Sequence, residues 1–192
     1  EYVVEIRDSI YRGREDFVYR IALGELPFVT GIFPLGGPAG KATNVQVRGW
    51  NLPAPELART IKQDDVGVYS VSVTRGELLS NEEPFAVSAL QECLDREPNN
   101  VPASAQVLTL PIIVNGRIDQ ADDRDVFRFE GKADQRVVAE VMARRLDSPV
   151  DSLLKLTDSA GKTVASNDDH EDKGSGLNTH HADSYLMANL PA

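Results

Sequence analysis

Asp122-Asp123-Arg124-Asp125-Val126-Phe127-Arg128-Phe129 begins as a run of acids and ends as an alternation. Side chains of an extended chain point to opposite faces in turn, so Phe127 and Phe129 share one face while Arg128 takes the other. That is the pattern of a half-buried strand with one side on a core and one in water. It repeats downstream at Val137, Ala139, Val141 and Ala143, and again at Leu154 and Leu156. Upstream it recurs at Tyr2, Val4 and Ile6, at Phe17, Tyr19 and Ile21, at Val45 and Val47, and at Tyr69, Val71 and Val73. Asp158-Ser159-Ala160-Gly161, between Leu156 and Val164, has the composition of a hairpin turn, with Gly where a positive φ is needed. Helical periodicity is weak throughout, its best candidate being a short turn from Ser88 to Leu94. The period therefore predicts an all-β chain built of antiparallel β-sandwiches.

Composition narrows the function classes. At 192 residues and 41% hydrophobic, the chain is large enough for one large or two small domains with real cores. A formal charge of -10 and no basic run argue against a nucleic-acid partner, because a phosphate backbone calls for a face rich in Lys and Arg. No apolar run reaches the roughly 18 residues of a membrane-spanning helix, so no membrane partner is expected. Cys93 is the single cysteine, so no disulfide forms within the chain. The first residues, Glu1-Tyr2-Val3-Val4, already read as a strand, and the chain reads as a piece of something longer.

Two oxygen-rich stretches could carry chemistry. Asp95, Glu97 and Asn99 are spaced i, i+2, i+4, which places them on one face of an extended segment. Pro98 biases Glu97 toward that extended region. With Asp122, Asp123 and Asp125 they offer hard oxygen ligands and neither sulfur nor imidazole, a set that suits Ca²⁺ rather than Zn²⁺ or Cu²⁺. A solvated acidic linker beside a capped strand is the other reading. The second stretch, Ser166 to Asp183, contains Asp168, Asp169, His170, His180 and His181. These could hold a transition metal, but their spacing is not the tight, paired spacing of structural zinc sites. A long hydrated hairpin loop tied by Asx-type hydrogen bonds is the main expectation there.

The order Glu97-Pro98-Asn99, then Asn115-Gly116-Arg117-Ile118, then Asp123-Arg124-Asp125-Val126-Phe127-Arg128-Phe129, then Ser166-Asn167-Asp168-Asp169 resembles the bacterial pre-peptidase C-terminal domain. The resemblance covers roughly residues 89–192. It implies a secreted, non-catalytic jelly-roll-like β-sandwich attached to an enzyme or surface protein, related to the collagen-binding domains of clostridial collagenases. Pro27-Phe28-Val29-Thr30-Gly31-Ile32-Phe33-Pro34, Gly49-Trp50-Asn51-Leu52 and the closing Pro84-Phe85-Ala86-Val87 are similar to the immunoglobulin-like TIG (IPT) domains. The expected organisation is thus a TIG-type sandwich at 24–88, an acidic linker at 89–104 and a pre-peptidase-type sandwich at 105–192 that stops before its last strands. Residues 1–23 look like the closing hairpin of a preceding copy. They are expected to complete the C-terminal sandwich, either within one chain or by strand swapping in a dimer.

Calcium binding through the linker is known in the collagen-binding relatives, and the resemblance carries it onto Asp95, Glu97, Asn99, Asp122 and Asp125. Asp95 stands where those relatives have Glu, one methylene shorter, and Asn100 stands where an acid is frequent. The same resemblance implies an extracellular, cell-surface or periplasmic location. Its partners would be neighbouring domains of the parent chain, with an extracellular collagen-like protein or a polysaccharide as the alternative ligand.

Enzymatic motifs fail on their residues. Gly36-Gly37-Pro38-Ala39-Gly40-Lys41-Ala42-Thr43 is one residue short of a phosphate loop, has Ala42 at the Ser/Thr position and precedes a strand. Gly174-Ser175-Gly176 is not a nucleophile elbow. Cys93 has no histidine near it in sequence and reads as a quiet, partly buried thiol. Trp50, the single tryptophan, reads as core packing or a domain junction, an exposed stacking platform being the alternative. The chain is expected not to be an enzyme.

Overall fold

The computed structural model of the chain describes residues 1–54, 57–170 and 182–191. The fold is all-β, with sixteen short strands and two single-turn 3₁₀ helices among those residues. The strongest alternation builds the best core. β1 (Phe28–Phe33), β3 (Thr43–Trp50) and β4 (Leu57–Ile61) form one sheet in the order β1-β3-β4. β2 (Gly36–Pro38), β8 (Glu83–Ser88) and β5 (Gly67–Val71) form a second in the order β2-β8-β5. Val29, Ile32, Val45 and Val47 from the first sheet meet Val71, Phe85 and Val87 from the second, with Val73 just after β5, in one buried cluster. Gln46 and Arg48 face outward in alternation with buried Val45 and Val47, as the period requires. β6 (Thr74–Arg75) and β7 (Leu78–Leu79) close a small hairpin beside them.

Glycine is required where β2 meets β8. A Cβ on Gly36 would fall on the carbonyl oxygen of Ala86, and one on Gly37 on the Thr43 hydroxyl. The Gly-rich run is therefore a close backbone approach within a strand.

The second half is assembled from strand pairs. β9 (Glu92–Leu94) runs parallel to β11 (Ile113–Asn115), and β10 (Gln106–Leu108) runs parallel to β12 (Phe127–Phe129). β13 (Arg136–Glu140) pairs antiparallel with β16 (Tyr185–Asn189), and β14 (Leu154–Thr157) with β15 (Thr163–Asn167). The turn between β14 and β15 is as expected: Gly161 has φ 80°, and Asp158 Oδ1 accepts the N–H of Ala160 and Lys162 at 3.0 and 2.9 Å. Buried apolar side chains are few here, chiefly Val137, Ala143, Leu146 and Leu186.

Three expectations are corrected. Ser88 to Leu94 is not a helical turn, because Glu92–Leu94 finds β11 as a partner and becomes β9. Part of the stretch expected as an acidic linker, 89–104, therefore pairs in a sheet. Residues 1–23 form no strand and complete no sheet within the chain. Tyr2 is 100% and Val18 84% exposed, and the hydrogen bonds of this segment run between its own residues. A lone hairpin is marginal in water, so alternation without a sheet to join does not produce strands. Finally, Trp50 lies outside every core, 71% exposed.

Candidate metal centre

The two parallel pairs bring their strand ends to one place. Asp95 follows β9 directly and is held there by its own N–H, which donates to the Asn115 carbonyl at 3.1 Å. Gly116 follows β11, and Arg117 N donates to Asp95 Oδ2 at 3.4 Å. On the other pair, Gln106 N donates to the Val126 carbonyl at 3.0 Å, and Val126 N donates to the Asn99 carbonyl at 3.1 Å. Asp125 is thereby set against the segment carrying Glu97 and Asn99. Asp95, Glu97 and Asp125 each place a carboxylate oxygen within 4.8 Å of the others. Their floor is Gly116: a Cβ there would stand 2.8 Å from Asp125 Oδ2 and 3.3 Å from Asp95 Oδ2. Any other residue would crowd the carboxylates apart.

Three acids this close repel one another. Burial, followed by the charges of Asp95, Asp123, Glu97 and Asp119, pushes the Asp125 carboxyl up to about 6. Asn99 is fully buried, and neither of its side-chain polar atoms has a hydrogen-bond partner; Asn100 Oδ1 and Asp125 Oδ1 are also buried and unpartnered. Each such atom costs on the order of 1–3 kcal/mol; the three oxygens, Asn99 Oδ1, Asn100 Oδ1 and Asp125 Oδ1, lack a donor or a positive charge, while Asn99 Nδ2 lacks an acceptor. That deficit, with an all-oxygen donor set, fits a hard cation of the Ca²⁺ type.

Of the residues singled out in the sequence, Asp95, Glu97 and Asp125 come together, and Asn99 is tied to them through its N–H, which donates to Glu97 Oε2 at 2.9 Å. Asp122 stands outside the group. It occupies a left-handed turn position, φ 65°, with its side chain exposed. Its neighbour Asp123 is the inward one and closes the turn, accepting the N–H of Asp119 at 2.8 Å and of Arg124 at 3.0 Å. Spacing alone does not locate such a turn.

The same corner touches the first sandwich. Asn115 Oδ1 accepts the N–H of Leu35 at 3.2 Å while its Nδ2 donates to Glu92 Oε2 at 2.8 Å. Arg117 lies 3.8 Å from the centre of the Phe33 ring and donates to Gln46 Oε1 at 3.0 Å. Asn115-Gly116-Arg117 thus supports the carboxylates on one side and grips β1 and β3 on the other. Sequence reading named this run only as a family mark; its role depends on tertiary contacts.

In the second acidic stretch, Asp168 Oδ1 accepts the N–H of Asp169 at 3.1 Å, and Asn167 Nδ2 donates to the Asp169 carbonyl at 2.7 Å. The His170 ring packs 4.7 Å from that of Tyr185. These are local Asx ties and ring packing, while His180 and His181 lie outside the described residues. Among the described residues, the group of acids and histidines that converges at ligand distance is Asp95, Glu97 and Asp125. A depression of about 850 Å³ between residues 89–96 and 104–112 is lined by Leu90, Val107, Leu110 and Cys93, with no His, Asp or Glu. Burial, helped by the charges of Asp95 and Glu92, pushes the Cys93 thiol up against the opposing Arg96 charge, so it is a poor thiolate.

Comparison with known proteins places the chain in a broad context. It is 32% identical over 150 residues to a "Probable subtilase-type serine protease" of Deinococcus radiodurans, an alignment covering 72% of this chain and 19% of that protein. The chain thus spans about a fifth of the length of that relative. No family model matches it, and no solved structure does. No helix among the described residues is long and apolar enough to cross a membrane.

Proposed function

We propose that this chain is a non-catalytic accessory segment of a large exported bacterial protein of the subtilase kind, in which calcium stiffens the join between two sandwiches. The reading combines a pre-peptidase C-terminal-type unit with a preceding TIG-like one. It is supported by the similarity to a small part of a much longer protease.

The observation that carries the calcium reading is the convergence of Asp95, Glu97 and Asp125 beside the buried, unpartnered Asn99. Asp95, Glu97 and Asp125 would hold the ion, with Asn99 Oδ1 as a neutral oxygen. A bound Ca²⁺ supplies the positive charge that three crowded carboxylates lack. Because Asn115 and Arg117 tie the same corner to Leu35, Phe33 and Gln46, fixing the carboxylates also fixes the grip on the first sandwich. A spacer needs that property.

Thermal unfolding with excess calcium and then with chelator tests the reading. A ligand bound only by the folded state at about 100 times its Kd adds roughly 2.7 kcal/mol. The melting temperature should rise with calcium in the wild type and stay unchanged in an Asp95→Asn, Asp125→Asn double variant. An equal response in both proteins, or none in either, removes calcium from the account. The exposed apolar alternation of residues 1–23 supports a further part of the reading, that this segment closes the sandwich of a second copy. Light scattering should then show a dimer that a chain lacking residues 1–23 does not form.

A further inference from the structure

Asn115-Gly116 is the chain's one Asn-Gly pair; every other asparagine is followed by a residue with a Cβ. An asparagine side chain and the next backbone nitrogen can close a five-membered imide ring, and a Cβ on the following residue is the main obstacle to that closure. Gly116 has none. The acidic corner keeps it so, because a Cβ there would stand 2.8 Å from Asp125 Oδ2 and 3.3 Å from Asp95 Oδ2. The packing that gathers the carboxylates therefore obliges the chain to carry a labile pair at the junction of its two halves.

The surroundings supply what ring closure needs. β11 ends at Asn115, so Gly116 lies outside the strand, exposed, and its N–H donates no hydrogen bond among the described residues. That nitrogen is free to lose its proton to water and to attack Asn115 Cγ. The oxygen that gains charge in the attack, Oδ1, already accepts the Leu35 N–H at 3.2 Å, a fixed backbone donor of the oxyanion-hole kind. The nitrogen that must leave, Nδ2, donates to Glu92 Oε2 at 2.8 Å. Burial raises the Glu92 carboxyl, against the hydrogen bond from Asn115 that lowers it, so Glu92 keeps a proton to higher pH than an exposed glutamate does. Once Cγ is tetrahedral, Nδ2 is an amine, and Glu92 stands within hydrogen-bond reach of it as a general acid must.

We infer that Asn115 is a self-modification site, deamidating in the folded chain with the Leu35 N–H and Glu92 as its catalytic groups. The Gly116 nitrogen bonds to Asn115 Cγ and gives its proton to water. The Cγ–Nδ2 bond breaks, and Nδ2 leaves as ammonia with a proton from Glu92, which solvent then replaces. Water opens the imide on either side, leaving an aspartate or an isoaspartate at this position. One water is consumed, one ammonia is released, and nothing is oxidised or reduced. A carboxylate then faces Glu92 where an amide donor stood, and it stands beside Asp95 and Asp125. The isoaspartyl form also adds a methylene to the main chain just before Arg117. Both products loosen the hold of this corner on Leu35, Phe33 and Gln46, so the junction ages irreversibly.

The test keeps the full chain in chelator at neutral pH and physiological temperature, once native and once unfolded in guanidinium chloride. Peptide mass spectrometry over successive days follows the conversion of Asn115 from amide to acid, and enzymatic methylation scores the isoaspartate. The expected result is conversion in the native chain at least as fast as in the unfolded one. Glu92→Gln still accepts a hydrogen bond from Asn115 Nδ2 but has no proton to give. It should slow the native reaction by about 100-fold, the lower end of what a general acid supplies, and leave the unfolded rate unchanged. Should that variant fail to fold, the wild-type comparison of native with unfolded chain decides alone. Native conversion slower than in guanidinium chloride would mean that the two hydrogen bonds protect the amide, and it overturns the inference. So does a native rate that Glu92→Gln leaves intact, or conversion confined to other asparagines.

Discussion

The first sandwich and the acidic second half are held together by different physics. Residues 27–88 put eight apolar side chains into one cluster, with Val29, Val45, Val47 and Val73 at 0% exposure and Phe85 at 1%. In the second half the deepest described side chains include Asn99, Asp183 and Ser184, at 0%, 2% and 0% exposure, with four buried apolar residues spread among the described residues. One region is stabilised by removing apolar area from water, which responds weakly to pH and ions. The other depends on polar groups finding partners, which responds strongly to both. The same β architecture can thus hold an insensitive half and a sensitive one.

Emptying the core of the first sandwich is the largest way to break the contrast. Phe85→Ala should cost about 3–5 kcal/mol, because a fully buried ring leaves a cavity between two sheets. Urea unfolding followed by Trp50 emission, which sits on this sandwich, should shift accordingly. Calcium should not restore the loss. Restoration by calcium would mean that the two halves unfold as one unit, and the contrast would fail.

The next effect tests the polar half. Asp183 accepts the N–H of Ala143 at 2.9 Å, of Arg144 at 2.7 Å and of Arg145 at 3.2 Å, and the Arg145 guanidinium at 2.8 Å. Burial alone would raise this carboxyl, but the Arg145 guanidinium and the three backbone donors hold it below its ordinary value. Asp183→Ala leaves those donors and Arg145 without their acceptor and should cost about 3 kcal/mol. Amide exchange of residues 141–146 and 184–189 should accelerate while that of β3 stays slow. Equal acceleration in both regions would show one cooperative unit.

What sequence could reveal divides along the same line. Val45 and Val47 against Gln46 and Arg48 were legible because a period of two states which face is buried. The Asp158–Gly161 turn was legible because its residues carry their own turn chemistry. Residues 1–23 have an equally clear period but no strands, since alternation specifies a face and not the sheet it must meet. The pairing of β9 with β11, the exposure of Trp50 and the grip of Arg117 on Phe33 depend on segments far apart in the chain. At the acidic corner, i, i+2 spacing and family resemblance together named Asp95, Glu97, Asn99 and Asp125. Asp122 was named with them although it stands outside the group, because a one-residue left-handed turn leaves no mark in composition.

The smallest effect is the most specific to the acidic corner. In chelator, Asp125 titrates at about 6 in the folded chain against 3.8 ordinarily, chiefly through burial and then through its acidic neighbours. The folded chain therefore holds this proton more tightly than the unfolded one. Its contribution to stability is full below about pH 4 and is lost as pH rises through about 6. Asp183 has the opposite sign: its pKa is lowered, so its contribution is present above the ordinary 3.8 and lost as pH falls through the lower folded value. Between pH 4 and 6.5 the melting temperature of the calcium-free chain should drift downward against the wild type's own calcium-loaded trace, which should stay flatter. Asp125→Asn should shrink the drift without calcium, because an amide has no proton to lose, leaving the part that belongs to Glu83 and Glu92, whose carboxyls burial also raises. An undiminished drift in Asp125→Asn would assign it to those other carboxylates, and the acidic corner would then be no more sensitive than the rest of the surface.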